Sequence, residues 1–247
     1  MGAIRILSPQ LVNRIAAGEC VERPASVVKE LIENALDAGA SRIDVNIEGG
    51  GRELIQVTDD GVGMDADDLP LCVRAHATSK LSADDDLFDI HTMGFRGEAL
   101  ASIASVSRVE ITSRTRGSEL ANVLKVDAGQ AGAPRPASAP PGTTVAVRDL
   151  FHSVPARRKF LRTPQTETGH ITEQFARIAL AHPAVAFSLR HNGRRMHELA
   201  AAGGPLRRIG DFYGPELAEV LIEVQREGQG VAIRGWVETT ELRVDQV

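Results

Sequence analysis

The sequence predicts an α+β protein in which amphipathic helices pack on strands joined as hairpins. Two observations carry that prediction. The apolar spacing switches from a helical period to strict alternation just past Ala38. A second alternating pair, Phe187 to His191 and Arg194 to Glu198, is joined by Asn192-Gly193, a strong hairpin signal.

Taken in order, Ser8 before Pro9 is a cap followed by a first-turn proline, and Gly18 closes the short helix that they open. A second helix spans Pro24 to Ala38, with Gly39 at its C′ position and a buried stripe of Val27, Val28, Leu31, Ala35 and Leu36. Ile43, Val45 and Ile47 then alternate with polar residues, Gly49-Gly50-Gly51 turns the chain, and Leu54, Ile55 and Val57 return. This is a helix packed on a hairpin.

From Asp59 to about Gly97 the chain is rich in Gly, Asp and Ser, with one short helical piece near Asp65 to Arg74. Loops beyond about 12 to 15 residues inside a compact domain are usually functional. A helix from about Glu98 to Ala104 follows, then strands near Val106 to Ser113 and Leu120 to Val126. Gly129 to Gly142, with four prolines, reads as a surface excursion before a strand at Thr143 to Val147. Thr166 to Ala181 is a helix buried through Ile171, Phe175, Ile178 and Ala179, and His182-Pro183 ends it. The small run Ala200 to Pro205 separates a first domain over 1–203 from the start of a second over 204–247. There, a helix near Leu206 to Phe212 and strands near Val220 to Val224 and Val231 to Val237 are too few to close a core.

Composition limits the function classes. Of 247 residues, 43% are hydrophobic and only 4% aromatic, so the core must be built from Val, Ile, Leu and Ala. A net charge of -5 excludes a surface that is basic everywhere, yet Arg157, Arg158, Lys159 and Arg162 form a dense cluster, with Arg194, Arg195, Arg207 and Arg208 beyond. That pattern suits non-specific contact with DNA phosphates, or equally a solvated face. Cys20 and Cys72 show no CxxC spacing and the seven histidines no zinc pattern, which points to a reducing, cytoplasmic setting with buried thiols. No apolar run approaches the roughly 18 residues of a membrane span, and the start lacks a signal-peptide core.

Three stretches carry chemistry. Glu30, Glu33, Asn34 and Asp37 share one sector of their helix, opposite the apolar stripe. Asn is an unusual choice for an exposed mid-helix site, and three acids without i,i+4 lysine partners repel unless a cation sits among them. A solvated polar face is the alternative. Asp59-Asp60-Gly61-Val62-Gly63-Met64 ends a strand, where a carboxylate can accept a hydrogen bond from an exocyclic amine such as adenine's, although an ordinary Asp-Gly turn has the same sequence. Gly94-Phe95-Arg96-Gly97-Glu98-Ala99-Leu100 runs from a glycine-bearing loop into a helix, so free N–H groups and the positive helix end can cradle phosphate. No GxxxxGK[ST] run exists, so this is no P-loop.

In this order, the stretches PQLVNRIAAGECVERPASVVKELIENALDAGA, DDGVGM, RAHATSK, GFRGEALASI, GTTV and PARRKFL resemble the GHKL ATPase superfamily of DNA gyrase B, the large heat-shock chaperones, histidine kinases and MutL. GFRGEAL and IAAGE make the resemblance to the MutL family close, and it covers nearly the whole chain. The resemblance implies a two-layer GHKL, or Bergerat, sandwich: a mixed, mainly antiparallel sheet with helices on one face, followed by the start of a second α/β domain. It implies ATP and Mg2+ as ligands and slow hydrolysis. Glu30 then resembles the general base, and Asn34 the magnesium ligand. Asp59 resembles the acceptor for the adenine amine, with Gly63 beneath the base and Thr143 supporting that contact through water. Thr78, Ser79, Lys80, Gly94, Phe95, Arg96, Gly97, Glu98, Ala99 and Leu100 line the nucleotide as a lid over about 70–97 closes. Further implications are a nucleotide-dependent homodimer with Ile4 to Arg23 as its crossing arm, a MutS-type mismatch recognition protein and other repair proteins as partners, and no membrane.

The sequence departs from the family pattern in places. Asp60 stands where many relatives have Asn, Cys20 replaces a common Val, and His152-Ser153 replace an aromatic-Asn pair before Pro155. Relatives also carry, in the second domain, a lysine that touches the γ-phosphate, and the sequence stops at Val247 before that region. The chain therefore reads as the N-terminal part of a longer protein, holding ATP better than it cuts it. The rival reading is an ATP-gated scaffold or clamp without measurable turnover. A histidine kinase would need a phosphoacceptor, and His170 lacks the usual acidic follower.

Overall fold

The computed structural model describes residues 21–80, 93–94, 97–228 and 230–238. The expected helix from Ser8 to Gly18, Cys20, most of the arm from Ile4 to Arg23, and Phe95 and Arg96 lie outside the described residues. Helix α1 (Pro24–Asp37) starts on a proline in its first turn and ends where Gly39 takes a φ of 68°. Its inner stripe is buried as the periodicity requires: Val27, Val28 and Ile32 are fully covered, and Leu31 and Ala35 nearly so.

Strands β1 (Arg42–Glu48) and β2 (Leu54–Asp59) form the expected hairpin, with Val45 opposite Val57 and Ile47 opposite Ile55. Helix α2 (Asp68–Leu71) is a single turn, shorter than the sequence suggests. Helix α3 (Ala99–Val106) leads into β3 (Arg108–Arg114) and β4 (Ala121–Asp127). The proline-rich stretch is not wholly an excursion, because β5 (Gln130–Ala131) and β6 (Arg135–Ala137) pair with β4. Pro136 is tolerated there because β6 is an edge strand. Strand β7 (Gly142–Arg148) runs between β2 and β3.

Helix α4 (Pro155–Phe160) has no counterpart in the sequence reading, because none of its residues is buried and it carries no apolar period. Helix α5 (Pro164–Ala181) is capped by the Thr163 hydroxyl, which accepts from the Thr166 N–H, and it buries Ile171, Phe175, Ile178 and Ala179. Strands β8 (Ala186–His191) and β9 (Arg194–Leu199) complete a nine-stranded sheet of order β5-β4-β3-β7-β2-β1-β8-β9, with β6 also on β4. Among the described residues only the β1–β8 pair is parallel. The sheet is thus mixed and mainly antiparallel. Its inner face, from Ile43 and Val45 through Ile111, Leu124, Val145 and Leu189, joins the stripes of α1 and α5 in one aliphatic core.

Helix α6 (Pro205–Tyr213) is tied to this body by Arg208, which is fully buried and donates to the carbonyls of Ala179, Pro183, Val185 and Ala200. His197 adds a ring stack between Phe175 and Phe212, with centroids 5.8 and 4.5 Å away. Helix α7 (Pro215–Val220), also without a buried residue, precedes β10 (Leu221–Gly228) and β11 (Val231–Glu238), which pair only with each other. No helix among the described residues is long and apolar enough to cross a membrane.

Candidate functional site

The polar sector of α1 lies beside residues 80 and 93–94. Asp37 is almost covered, with 8% of its side chain exposed, and Glu33 is close behind at 12%. The expectation that these acids lack lysine partners is wrong. Lys29 Nζ lies 2.9 Å from Glu33, an i,i+4 pair, and 3.2 Å from Glu30. Burial works to lower the Lys29 pKa, and the two carboxylates outweigh it, leaving the ammonium above its ordinary range. A second cation arrives from outside the helix: Lys80 Nζ donates to Asp37 at 2.5 Å and to Asn34 Oδ1 at 2.9 Å. The backbone N–H groups of Met93 and Gly94 also donate to Asp37, at 3.0 and 3.2 Å.

The second wall is the end of β2. Asp59 sits opposite Thr143 of β7 and accepts from the N–H groups of Gly61 and Thr143. Burial pushes its carboxyl up to about 6, against the pull of those two donors. The Thr143 hydroxyl lies 2.9 Å from the Ser113 hydroxyl, which in turn accepts from the Met64 N–H at 2.7 Å. Ser113 is a site residue that the sequence reading missed. Its signal was a polar residue on the inward register of β3, after Val109 and Ile111. Glycine at 63 is dictated from within: at its φ of 73° an added Cβ would lie 2.2 Å from the Arg114 carbonyl oxygen. Gly142 is held likewise, with the Asp59 carbonyl oxygen 2.0 Å from where its Cβ would be.

Beside these walls, the Thr78 hydroxyl accepts from the Lys80 N–H, and Ser79 is exposed. His76 pairs with Glu98 at 3.3 Å, and Gly97, with a φ of 62°, packs on the Ala77 carbonyl. Because the Glu98 carboxylate turns to His76, no side chain caps α3, whose first turn opens with Ala99 and Leu100. An uncapped helix start is suited to an anion. The structure therefore brings Asn34, Lys80 and Gly94 together on one side, and Asp59, Thr143 and Ser113 on the other.

Among the described residues no cluster of three or more His, Cys, Asp or Glu is arranged to hold a metal ion. Asn34 Oδ1 alone is a single hard, uncharged donor already engaged with a cation, which fits magnesium carried chiefly by phosphate oxygens rather than by a protein cage. A cavity of about 510 Å3 lies elsewhere, between α5 and α6, and includes none of these residues. Cys72 packs against the core, and burial pushes its thiol up to about 12. The basic surface is smaller than expected, since Arg208 is buried by its four carbonyl partners and Arg207 pairs with Asp211. Arg158 and Lys159 of α4 remain exposed, as do Arg162, Arg194 and Arg195, with Arg157 half-buried, beside a Phe160 that is 85% exposed.

Comparison with known proteins identifies the family. Residues 22–150 match the family model for histidine kinase-, DNA gyrase B-, and HSP90-like ATPases. The chain is 54% identical over 237 residues to the DNA mismatch repair protein MutL of Rhodospirillum rubrum, covering 94% of this chain and 38% of that one. It is 52% identical to MutL of Paramagnetospirillum magneticum, over 95% of this chain and 39% of the relative, so it spans under two fifths of these proteins. Among solved structures, the Aquifex aeolicus MutL ATPase domain complexed with ADP superposes with a TM-score of 0.70 at 30% identity, over 90% of this chain and 78% of that one. The N-terminal domain of a DNA repair protein superposes with a TM-score of 0.76 at 26% identity, over 96% and 75%. This chain, with the nucleotide-binding sandwich described above, belongs to the MutL family of DNA mismatch repair proteins within the GHKL ATPases.

Proposed function

We propose that this chain binds Mg-ATP between α1 and the end of β2 and hydrolyses it slowly, as the nucleotide-gated region of a mismatch repair protein. The observation that carries the reading is the convergence of Asn34 and Lys80 on one side with the buried acceptor Asp59 on the other. Asp59 retains lone pairs beyond those used by Gly61 and Thr143, and these accept from the adenine amine. Thr143, joined to Ser113, supports that contact through water. The phosphates lie toward Thr78, Ser79, Lys80, Gly94, Gly97 and the start of α3, where an ammonium and helix-end amides offset their charge. Phe95 and Arg96 belong to the same run of sequence.

Glu30, one turn before Asn34, takes the proton of a water in line with the γ-phosphate. Asn34 Oδ1, with the phosphates, would hold magnesium, which would supply charge neutralisation. Phosphate release by the chain and by Glu30→Ala tests the assignment. The substitution is expected to lower turnover by on the order of 100-fold or more while sparing Mg-ATP binding. Equal turnover in the two proteins would remove Glu30 from the mechanism.

A second reading, an ATP-gated scaffold without turnover, is favoured by one feature: Lys29 lies 3.2 Å from Glu30 and engages one oxygen, Oε1, of the carboxylate that would act as base. The same phosphate-release assay decides between them. Nucleotide-driven lid closure and homodimerisation, a MutS-type partner, DNA-phosphate contact through Arg157, Arg158, Lys159 and Arg162, a cytoplasmic location and a second domain starting near residue 204 complete the proposal. Sizing with and without a non-hydrolysable ATP analogue tests dimerisation, with a shift from monomer to dimer expected; a monomer in both states would contradict it.

A further inference from the structure

Resting on that reading of the site, we propose that Asp37 is the positioning residue of its phosphate side, acting through Lys80. A single carboxylate gathers three donors from two separate stretches: Lys80 Nζ, and the N–H groups of Met93 and Gly94. Nothing in the hydrogen bonding of α1 requires this, since Asp37 is the last helical residue and the chain beyond it is stopped by Gly39. The carboxylate faces outward from the helix yet keeps only 8% of its side chain exposed, because residues 80, 93 and 94 cover it.

The consequence is geometric. Asp37 holds the Lys80 ammonium 2.9 Å from Asn34 Oδ1, beside the atom assigned to magnesium. Were a magnesium ion held at Asn34 Oδ1, two cations on one carboxamide oxygen would repel strongly, and the Lys80 ammonium would be available to a phosphate oxygen. Asp37 would keep its own contact with that ammonium, beside the donors of Met93 and Gly94. An added Cβ at Gly94 would lie 3.3 Å from Lys80 Nζ, which places this backbone directly against the ammonium. Asp37 thereby sets the preference for a triphosphate and leaves recognition of adenosine to Asp59.

A double-mutant cycle tests this, with the whole chain titrated against a Mg-bound non-hydrolysable ATP analogue and against adenosine. Asp37→Asn and Lys80→Met are each expected to weaken the triphosphate by about tenfold or more and adenosine by less than about twofold. The double variant is expected to be no weaker than the worse single one, because both remove the same arrangement. Asp37→Glu, which keeps the charge, is expected to recover part of the triphosphate affinity, and it serves as the test should Asp37→Asn fail to fold. Additive losses, an equal loss of adenosine, or no recovery in Asp37→Glu would overturn the proposal. If the unsubstituted chain binds neither ligand, the nucleotide reading fails and this one with it; if it binds both and Asp37→Asn matches it, this proposal alone fails.

Discussion

Asp59 is the residue on which local physics and proposed function meet most closely. Burial raises its carboxyl to about 6 although two backbone amides pull the other way. The folded pKa exceeds the ordinary aspartate value of 3.8, so between those values the folded chain holds a proton that the unfolded chain has lost. Its contribution to stability therefore falls as pH rises through that window and is flat above it. Adenosine needs the ionised form, so binding should run the opposite way, about tenfold weaker at pH 5 than at pH 7.5. Calorimetric titration at the two pH values checks this, and equal affinities would argue against an amine on Asp59. The residue was legible because Asp59-Asp60-Gly61 ends a run of strand periodicity. Ser113 was not, since a single serine in an alternating strand carries no spacing of its own. Lys29 was misread: its i,i+4 relation to Glu33 was in the sequence, but attention to the acidic sector alone left it out.

At the scale of elements, those with an apolar period were legible and those without were not. Helix α1, the β1–β2 hairpin and α5 follow their apolar periods because each buries one face in the common core. Helices α4 and α7 bury nothing, and β5 and β6 are short edge strands whose prolines and alanines read as loop. Helix α6 was foreseen, but not what holds it. Arg208, counted in the sequence among surface bases, passes inward to four carbonyls and lies 5.6 Å from the Phe187 ring centroid. Replacing it with Met leaves those carbonyls without their donor, which should cost about 2 to 4 kcal/mol. Denaturant unfolding of Arg208→Met checks this; stability within about 0.5 kcal/mol of the parent would show that α6 is held by its aromatic stack instead.

On the scale of the whole molecule, a nine-stranded sheet with helices on one face places two kinds of chemistry at its rim. The strand ends of β2, β7 and β3 supply Asp59, Thr143 and Ser113. Helix α1, lying across the inner face, supplies Glu30, Asn34 and Asp37. Order and spacing along the chain made this division readable, whereas the cross-links between its parts, Lys80 to Asn34 and Asp37 above all, depend on how a long irregular stretch folds back. Among the described residues, β10 and β11 form a sheet of their own, and Ile222, Val224, Ile233 and Val237 of these two strands are exposed. The central claim is that one adenine nucleotide binds with its base at Asp59 and its phosphates at α1. Titrating Mg-ADP into the chain and into Asp59→Asn at pH 7.5 tests it most directly. Saturable one-to-one binding that weakens by at least about tenfold in the variant is the predicted result, and equal affinity in the two proteins, or no binding by the parent, would contradict it.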